Sequence, residues 1–248
     1  MSSTYRLDQI YSLLLRSGKA TVEQLSQEFH VTPTTIRRDL LLLEEHGLIY
    51  RTRGYANILN TDDTTDVFDR EKRRIAEAAV SFIEEEMAIA MDSGTTVEAI
   101  CDCLVEKNSV SALDIVTHSL KVAMKLGEFY RVSMPGGVMV SRYNALVGMD
   151  VENFYHSINV DIAFLGTTGI NNCNGLTVSD PLQLEVKKRC VECAAKRIAV
   201  VNSSKYIRRG IYEFCDFSEI DTLITVETED NAAQLEQIAK KGVNIVLV

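Results

Sequence analysis

From residue 70 onward the chain alternates short apolar runs with amphipathic stretches, and that alternation limits the fold more than any other feature. The runs MAIAM at 87–91, ALDIVT at 112–117, FYRVSM at 129–134 and VDIAFLG at 160–166 are strand-sized. So are RIAVV at 197–201, DTLITV at 221–226 and NIVLV at 244–248. Between several of them lie segments with helical spacing: 70–85 (REKRRIAEAAVSFIEE), 97–107, 119–126, 181–195 and 231–241. Apolar strands separated by amphipathic helices predict a mainly parallel sheet covered on both faces. About 180 residues of this kind suffice to bury a substantial core. None of the apolar runs approaches the roughly 18 residues that a membrane-spanning helix needs.

The first 57 residues follow a different pattern. Leu7, Ile10, Tyr11, Leu14 and Leu15 recur at helical spacing until Ser17-Gly18 ends the run. Thr21 is a suitable cap for a second helix, VEQLSQEF, in which Glu23 and Gln24 read as a partial capping box. Thr32-Pro33 is a sharp start for a third helix, PTTIRRDLLLLEEHG, which Gly47 ends. At 100° per residue Ile36, Leu40 and Leu43 share one face, while Thr34, Arg38 and Leu41 project from the other, flanked by Arg37 and Thr35. The segment LIYRTRGYANIL then predicts two short strands turning near Arg53-Gly54.

Paired arginines also occur on ordinary solvated helix faces. Three helices, a Thr-Pro start and an arginine-bearing hairpin together favour a winged helix-turn-helix. In that reading Thr32, Thr34, Thr35, Arg37 and Arg38 face a DNA major groove, where guanidinium groups pair with guanine or phosphate. Arg51 and Arg53 grip phosphate or the minor groove from the wing.

A net charge of -9 looks unfavourable for such a partner until it is divided by position. Residues 1–57 carry seven basic and six acidic groups, and the acidic excess belongs to the remainder. The stretch 58–69 (ILNTDDTTDVFD) is polar, acidic and without clear periodicity, so it reads as a linker between a domain at 1–57 and one at 70–248. The N-terminus has Asp8 and Arg16 inside its apolar stretch and no small-residue cleavage site, unlike a signal peptide. With six cysteines and no such signal, the expected compartment is the cytoplasm, with reduced thiols.

In an open α/β sheet, ligands sit outside the carboxyl ends of the strands. Those ends carry polar, glycine-bearing loops here: Asp92-Ser93-Gly94-Thr95-Thr96, Thr117-His118-Ser119, Gly136-Gly137 and Gly166-Thr167-Thr168-Gly169. Backbone amides and hydroxyls at a strand-to-helix turn suit an anion, and Lys187 and Lys205 are candidate cationic partners. Asp161, at the start of its strand, is a further candidate. The expected ligand is small and anionic.

Two sets of residues resemble one family. ATVEQLSQEFHVTPTTIRRDLLLLEEHGLIYRTRGYA is similar to the N-terminal signature of DeoR-type bacterial transcriptional regulators, through its TIRRDL core, LEEHGLI and glycine-containing wing. Tyr55 departs from the usual second wing glycine. The series DSGTT, IVTHS, MPGG, ALVG, VDIAFLGTTGI, GLT, EVKKR and NSSKY follows the order of motifs in that family's effector domain, with His118 where Asn is usual and Asn202 where Asp is usual. The resemblance implies a C-terminal domain similar in fold to ribose-5-phosphate isomerase and glucosamine-6-phosphate deaminase. It further implies a repressor of a carbohydrate operon, controlled by a phosphorylated sugar or related metabolite. Its partners would be double-stranded operator DNA and further copies of itself, as a dimer or tetramer, without a membrane partner or cofactor.

Two other classes compete. A sugar-phosphate isomerase or deaminase fused to the DNA-binding module would need an acid and a base over the substrate, from Asp92, His118, Asp161 or Glu185. Against it, the strand after Asp161 continues without a second carboxylate. A redox or metal sensor would use Cys190-x-x-Cys193 or Cys101-x-Cys103, but no histidine lies near enough to complete a zinc set, so buried thiols and no metal are expected.

Overall fold

Residues 3–45, 49–52, 55–58, 64–108 and 110–248 are described by the structure, a computed structural model. The chain divides into two units, Met1–Val67 and Phe68–Val248.

In the first unit, helices α1 (Ser3–Ser17), α2 (Val22–Glu28) and α3 (Pro33–Glu45) surround a small core. Ile10 and Leu14, one turn apart on α1, meet Leu25 of α2 and Ile36, Leu40 and Leu43 of α3. Arg6 of α1 grips the buried Asp39 of α3 with two donors, at 2.5 and 3.2 Å. The capping box at α2 is complete rather than partial. The Gln24 amide donates to the Thr21 hydroxyl at 3.1 Å, and the Thr21 amide donates to the Gln24 side chain at 2.8 Å. The reciprocal pair spans Thr21 and Gln24 because Val22 is the first helical residue, which makes Gln24 the third.

Strands β2 (Ile49–Thr52) and β3 (Tyr55–Ile58) form the expected antiparallel hairpin. The turn at Arg53-Gly54 and the helix end at Gly47 fall outside the described residues. A third strand, β1 (Lys19–Thr21), pairs with β3 and was not expected. Three residues are too few for a period-2 pattern to register.

The second unit starts within a long helix, α4 (Thr64–Val80). The linker reading of 58–69 is therefore corrected at its second half, which forms the first turns of α4. That helix also stops earlier than its charge pattern implied. Seven parallel strands make the main sheet, in the order β15-β14-β12-β9-β4-β5-β6. They are β4 (Ala88–Met91), β5 (Asp114–Thr117), β6 (Arg131–Ser133), β9 (Val160–Leu165), β12 (Ala194–Val201), β14 (Thr222–Thr225) and β15 (Asn244–Leu247).

Both faces are covered, as the sequence predicts. Alternate residues of each strand point to opposite sides. Thus Ile162 and Phe164 pack with α4 and α5 (Thr95–Lys107), and Ala163 and Leu165 pack with α7 (Met149–His156) and α8 (Pro181–Glu192). The remaining helices are α6 (Leu120–Leu126) and α9 (Ala232–Ala239).

Two smaller pieces were not legible. One is a hairpin of β7 (Val138–Val140) and β8 (Ala145–Val147). The other is an antiparallel sheet of β10 (Gly169–Ile170), β11 (Gly175–Val178) and β13 (Tyr212–Asp216). Residues 194–195, expected at the end of α8, open β12 instead, because Ala194 pairs with Val160 of β9. Among the described residues no helix is long and apolar enough to cross a membrane.

Candidate functional site

Strand order locates a crevice. From β4 the chain runs outward through β5 and β6, then returns beside β4 as β9 and continues the opposite way through β12, β14 and β15. Connections leave β4 and β9 in opposite directions, so their carboxyl ends open a gap where α/β sheets bind ligands. The loops there are Asp92–Gly94, which leads into α5, and Gly166–Thr168.

One carboxylate holds both loops. Asp92 is fully buried; its Oδ1 accepts the Ser93 amide at 2.7 Å, and its Oδ2 accepts the Gly166 amide at 2.9 Å. The Lys187 ammonium, carried in from α8, donates to Asp92 Oδ2 and also to the Gly166 carbonyl at 3.0 Å. Its charge lies 5.2 Å from the centre of the Phe214 ring. A side chain at Gly166 would put its Cβ 3.2 Å from the Ser93 carbonyl, so the close approach of the two loops favours glycine.

His118 closes the floor. Its Nε2 lies 3.5 Å from Asp92 Oδ1, and its Nδ1 lies 3.0 Å from the Tyr155 hydroxyl. Burial drives its pKa down to about 4; Asp92 opposes that shift and Lys187 adds to it. The ring is neutral at pH 7, with Nε2 assigned the proton and Nδ1 accepting from Tyr155, whose own pKa burial raises. Beside it, the Thr117 hydroxyl donates to the Met91 carbonyl at 2.6 Å and accepts the Ser119 amide at 3.0 Å, and Ser119 caps α6.

The expected candidates therefore divide. Asp92, Thr117, His118, Ser119 and Lys187 form a buried floor, in which Asp92 joins His118 and Lys187 and Thr117 bonds to Ser119. Gly94, Thr95 and Gly136 lie at the surface, with Ser93 and Thr96 buried behind them. Gly94 caps α5 at φ +140 with no side chain for its first amides and open space around it, which leaves room for an anionic group to approach them. Gly137 sits where a Cβ would lie 2.9 Å from both the Val147 carbonyl and a Val151 methyl, so it seats its loop on β8 and α7. Lys205 is half-buried in the turn after β12, the strand next to β9.

Asp161 is a correction. It is the second residue of β9, so it lies at the amino end of the strand, opposite the crevice, where its carboxylate accepts the Ala88 amide at 2.8 Å. Five residues of extended chain separate it from Gly166, roughly 16 Å. Glu185, on α8, pairs with Lys188 at 3.0 Å.

On the first unit, Thr32, Thr34, Arg37 and Arg38 are exposed and Thr35 is half-exposed at the start of α3, while Ile36 and Leu40 on the same helix are fully buried. The Thr32 hydroxyl accepts the Thr35 amide at 3.3 Å, fixing the helix start. Arg51 is exposed but tethered, its Nε 2.7 Å from Glu44. Arg53 lies outside the described residues.

Sequence reasoning missed Lys19, which β1 brings beside the hairpin with its ammonium 5.3 Å from the centre of the Tyr55 ring. The aromatic residue replacing a wing glycine was the available signal. It also missed Tyr155, buried on α7 in a region without clear periodicity. All six cysteines are free; burial pushes the Cys101 thiol up to about 12, which suppresses thiolate chemistry there.

Residues 68–227 match the family described as DeoR C terminal sensor domain, and residues 6–62 match the DeoR-like helix-turn-helix domain. The chain is 33% identical to the HTH-type transcriptional regulator GlpR of Haloferax volcanii, covering 97% of this chain and 96% of that protein. It is 31% identical to the glycerol-3-phosphate regulon repressor of Escherichia coli over 91% of each. Among solved structures, a D-ribose-5-phosphate isomerase in complex with phospho-erythronic acid aligns at 18% identity and a TM-score of 0.42, covering 56% of this chain and 55% of that one.

Proposed function

The chain belongs to the DeoR family of DNA-binding transcriptional regulators, and from that premise we propose that it represses a carbohydrate-metabolism operon under the control of a phosphorylated sugar or polyol. The observation that carries the effector half is the crevice between β4 and β9, where a glycine-capped helix start faces open space above a buried, rigid floor. Gly94, Thr95, Gly136 and Lys205 line the ligand side in this reading. Asp92, His118 and Lys187 hold the loops without touching ligand. The name of the E. coli relative, a glycerol-3-phosphate regulon repressor, supports a phosphate-bearing effector.

The DNA half rests on the exposed start of α3. Thr34, Thr35, Arg37 and Arg38 read or grip the major groove, and Thr32 fixes the helix start beside phosphate. Arg51, Arg53 and Lys19 meet the backbone from the hairpin. Residues 1–57 form the DNA-reading domain and 70–248 the effector domain. One winged unit makes few contacts, so a homo-oligomer on repeated half-sites is part of the proposal, as is a cytoplasmic location. The protein turns over no substrate in this reading: Asp92 is committed to four partners and Asp161 stands at the far edge of the sheet.

The test uses the full chain with glycerol 3-phosphate, glucose 6-phosphate and inorganic phosphate. A ligand present at 100 times its dissociation constant adds about 2.7 kcal/mol of stability, which thermal shift resolves. The same ligand is expected to alter affinity for a duplex recovered from a random pool, and Thr95→Asp to remove that response while DNA binding persists. Stabilisation of Thr95→Asp equal to the parent would move the effector elsewhere.

A further inference from the structure

In the first half of α4 one polar group is buried among the residues whose burial is described. Among its described residues N-terminal to Ile75, only Glu71 is buried. Its carboxylate accepts the Ser203 amide at 2.9 Å and the Ser203 hydroxyl at 2.8 and 2.9 Å. Further along, Ile75, Ala76 and Ala79 are fixed by apolar packing. Other charged groups near the start of α4 form exposed pairs: Lys72 with Asp69 and Arg73 with Glu77 within the helix, and Arg73 with Glu106 of α5 at 2.6 Å.

Ser203 comes from 132 residues away, at the opening of the turn that leaves the carboxyl end of β12. Buried Asn202 precedes it, accepting the Ser204 hydroxyl at 3.1 Å, and Lys205 follows. The same short loop, at the carboxyl end of β12 beside β9, thus carries Lys205 and joins Ser203 to α4. At the other end of the contact, Glu71 stands four residues past the boundary between the two units, on the helix that continues back across it to Thr64. Apolar packing does not exchange partners, whereas a carboxylate held by an amide and a hydroxyl releases or tightens when its loop shifts by a fraction of an ångström. Loss of those donors would leave Glu71 buried and unpaired, which favours movement of the first turns of α4 toward solvent.

We propose that the Glu71–Ser203 contact couples occupancy of the crevice to α4, and through α4 to the DNA-binding unit. Glu71 is then a positioning residue that touches neither effector nor DNA. This rests on the crevice being the effector site.

The experiment compares the full-length parent with Glu71→Gln, Ser203→Ala and the double variant. DNA affinity is read by anisotropy on the selected duplex, and ligand binding by calorimetry. Without ligand, each single variant is expected to shift DNA affinity by about threefold or more and the double by no more than either single, the signature of one shared contact. Glycerol 3-phosphate, or whichever tested phosphate binds the parent, should bind Glu71→Gln within about twofold of the parent while its effect on DNA affinity falls below about twofold. Unchanged ligand-free DNA affinity in all variants, additive shifts, or a full ligand effect in Glu71→Gln would overturn the proposal. Failure of every phosphate to bind the parent would instead overturn the effector reading, and the ligand-free comparison would still decide the contact. Should Glu71→Gln not fold, Ser203→Ala removes one hydroxyl only and carries the same readouts.

Discussion

The Lys187 ammonium and the Asp92 carboxylate form a buried ion pair, with side chains 5% and 0% exposed. Removing one member of such a pair leaves an uncompensated buried charge, at a cost of about 3–5 kcal/mol. Lys187→Met should therefore lower the thermal transition of the C-terminal unit by on the order of 10 °C. Adding Asp92→Asn to Lys187→Met should recover part of that loss. A shift of only a degree or two in calorimetry would mean that the pair adds little.

His118 links stability to acid. Its folded pKa of about 4 lies below the ordinary value of 6.5, so between those limits the unfolded chain binds a proton that the folded chain refuses. The contribution is intact above pH 6.5 and is lost as pH falls toward 4, amounting to roughly 3 kcal/mol. His118→Asn, which removes the titrating ring, should flatten that part of the stability–pH curve. Urea midpoints between pH 7 and pH 4 with the same slope in parent and variant would contradict the assignment.

Arg38→Ala tests the groove-facing side of α3. Arg38 is exposed while Leu40 and Ile36 are fully buried, so truncation should leave the fold intact. If Arg38 grips phosphate, DNA affinity should fall and the slope of log affinity against log salt should decrease by about one. If it reads a guanine instead, discrimination at one base should fall by about 1–3 kcal/mol. Undiminished affinity on the selected duplex would turn the helix the other way.

The capping box at α2 gives a smaller, local prediction. Thr21→Ala should destabilise the N-terminal unit by about 1 kcal/mol. Gln24→Ala added to it should cost less than Gln24→Ala alone, because the two side chains satisfy each other's amides. Additive losses in thermal unfolding would argue that the two hydrogen bonds act separately.

How legible the site was depends on the distance over which each part is decided. The Thr32-Pro33 start, the buried face through Ile36, Leu40 and Leu43, and the exposed Arg37 and Arg38 are consequences of 3.6-residue periodicity within 15 residues. The crevice loops were found for a similar reason, since each glycine-bearing turn follows an apolar strand. The role of each residue within them was not. His118 and Lys187 look like ligand contacts in sequence, and become floor only because Tyr155 and Asp92 meet them from 37 and 95 residues away. Asp161 has the chemistry of a crevice residue, and only its position near the amino end of β9 excludes it.

By itself the sequence determined the two-part organisation, the parallel α/β class and the arginine-bearing face of α3, because these follow from local periodicity and capping. Only the tertiary structure decided that the order of strands reverses between β4 and β9, that Asp92 is enclosed by Gly166, His118 and Lys187, and that Ser203 reaches Glu71. Strand order and burial are set by which distant segments exclude water together, and residue spacing along one chain does not encode that choice.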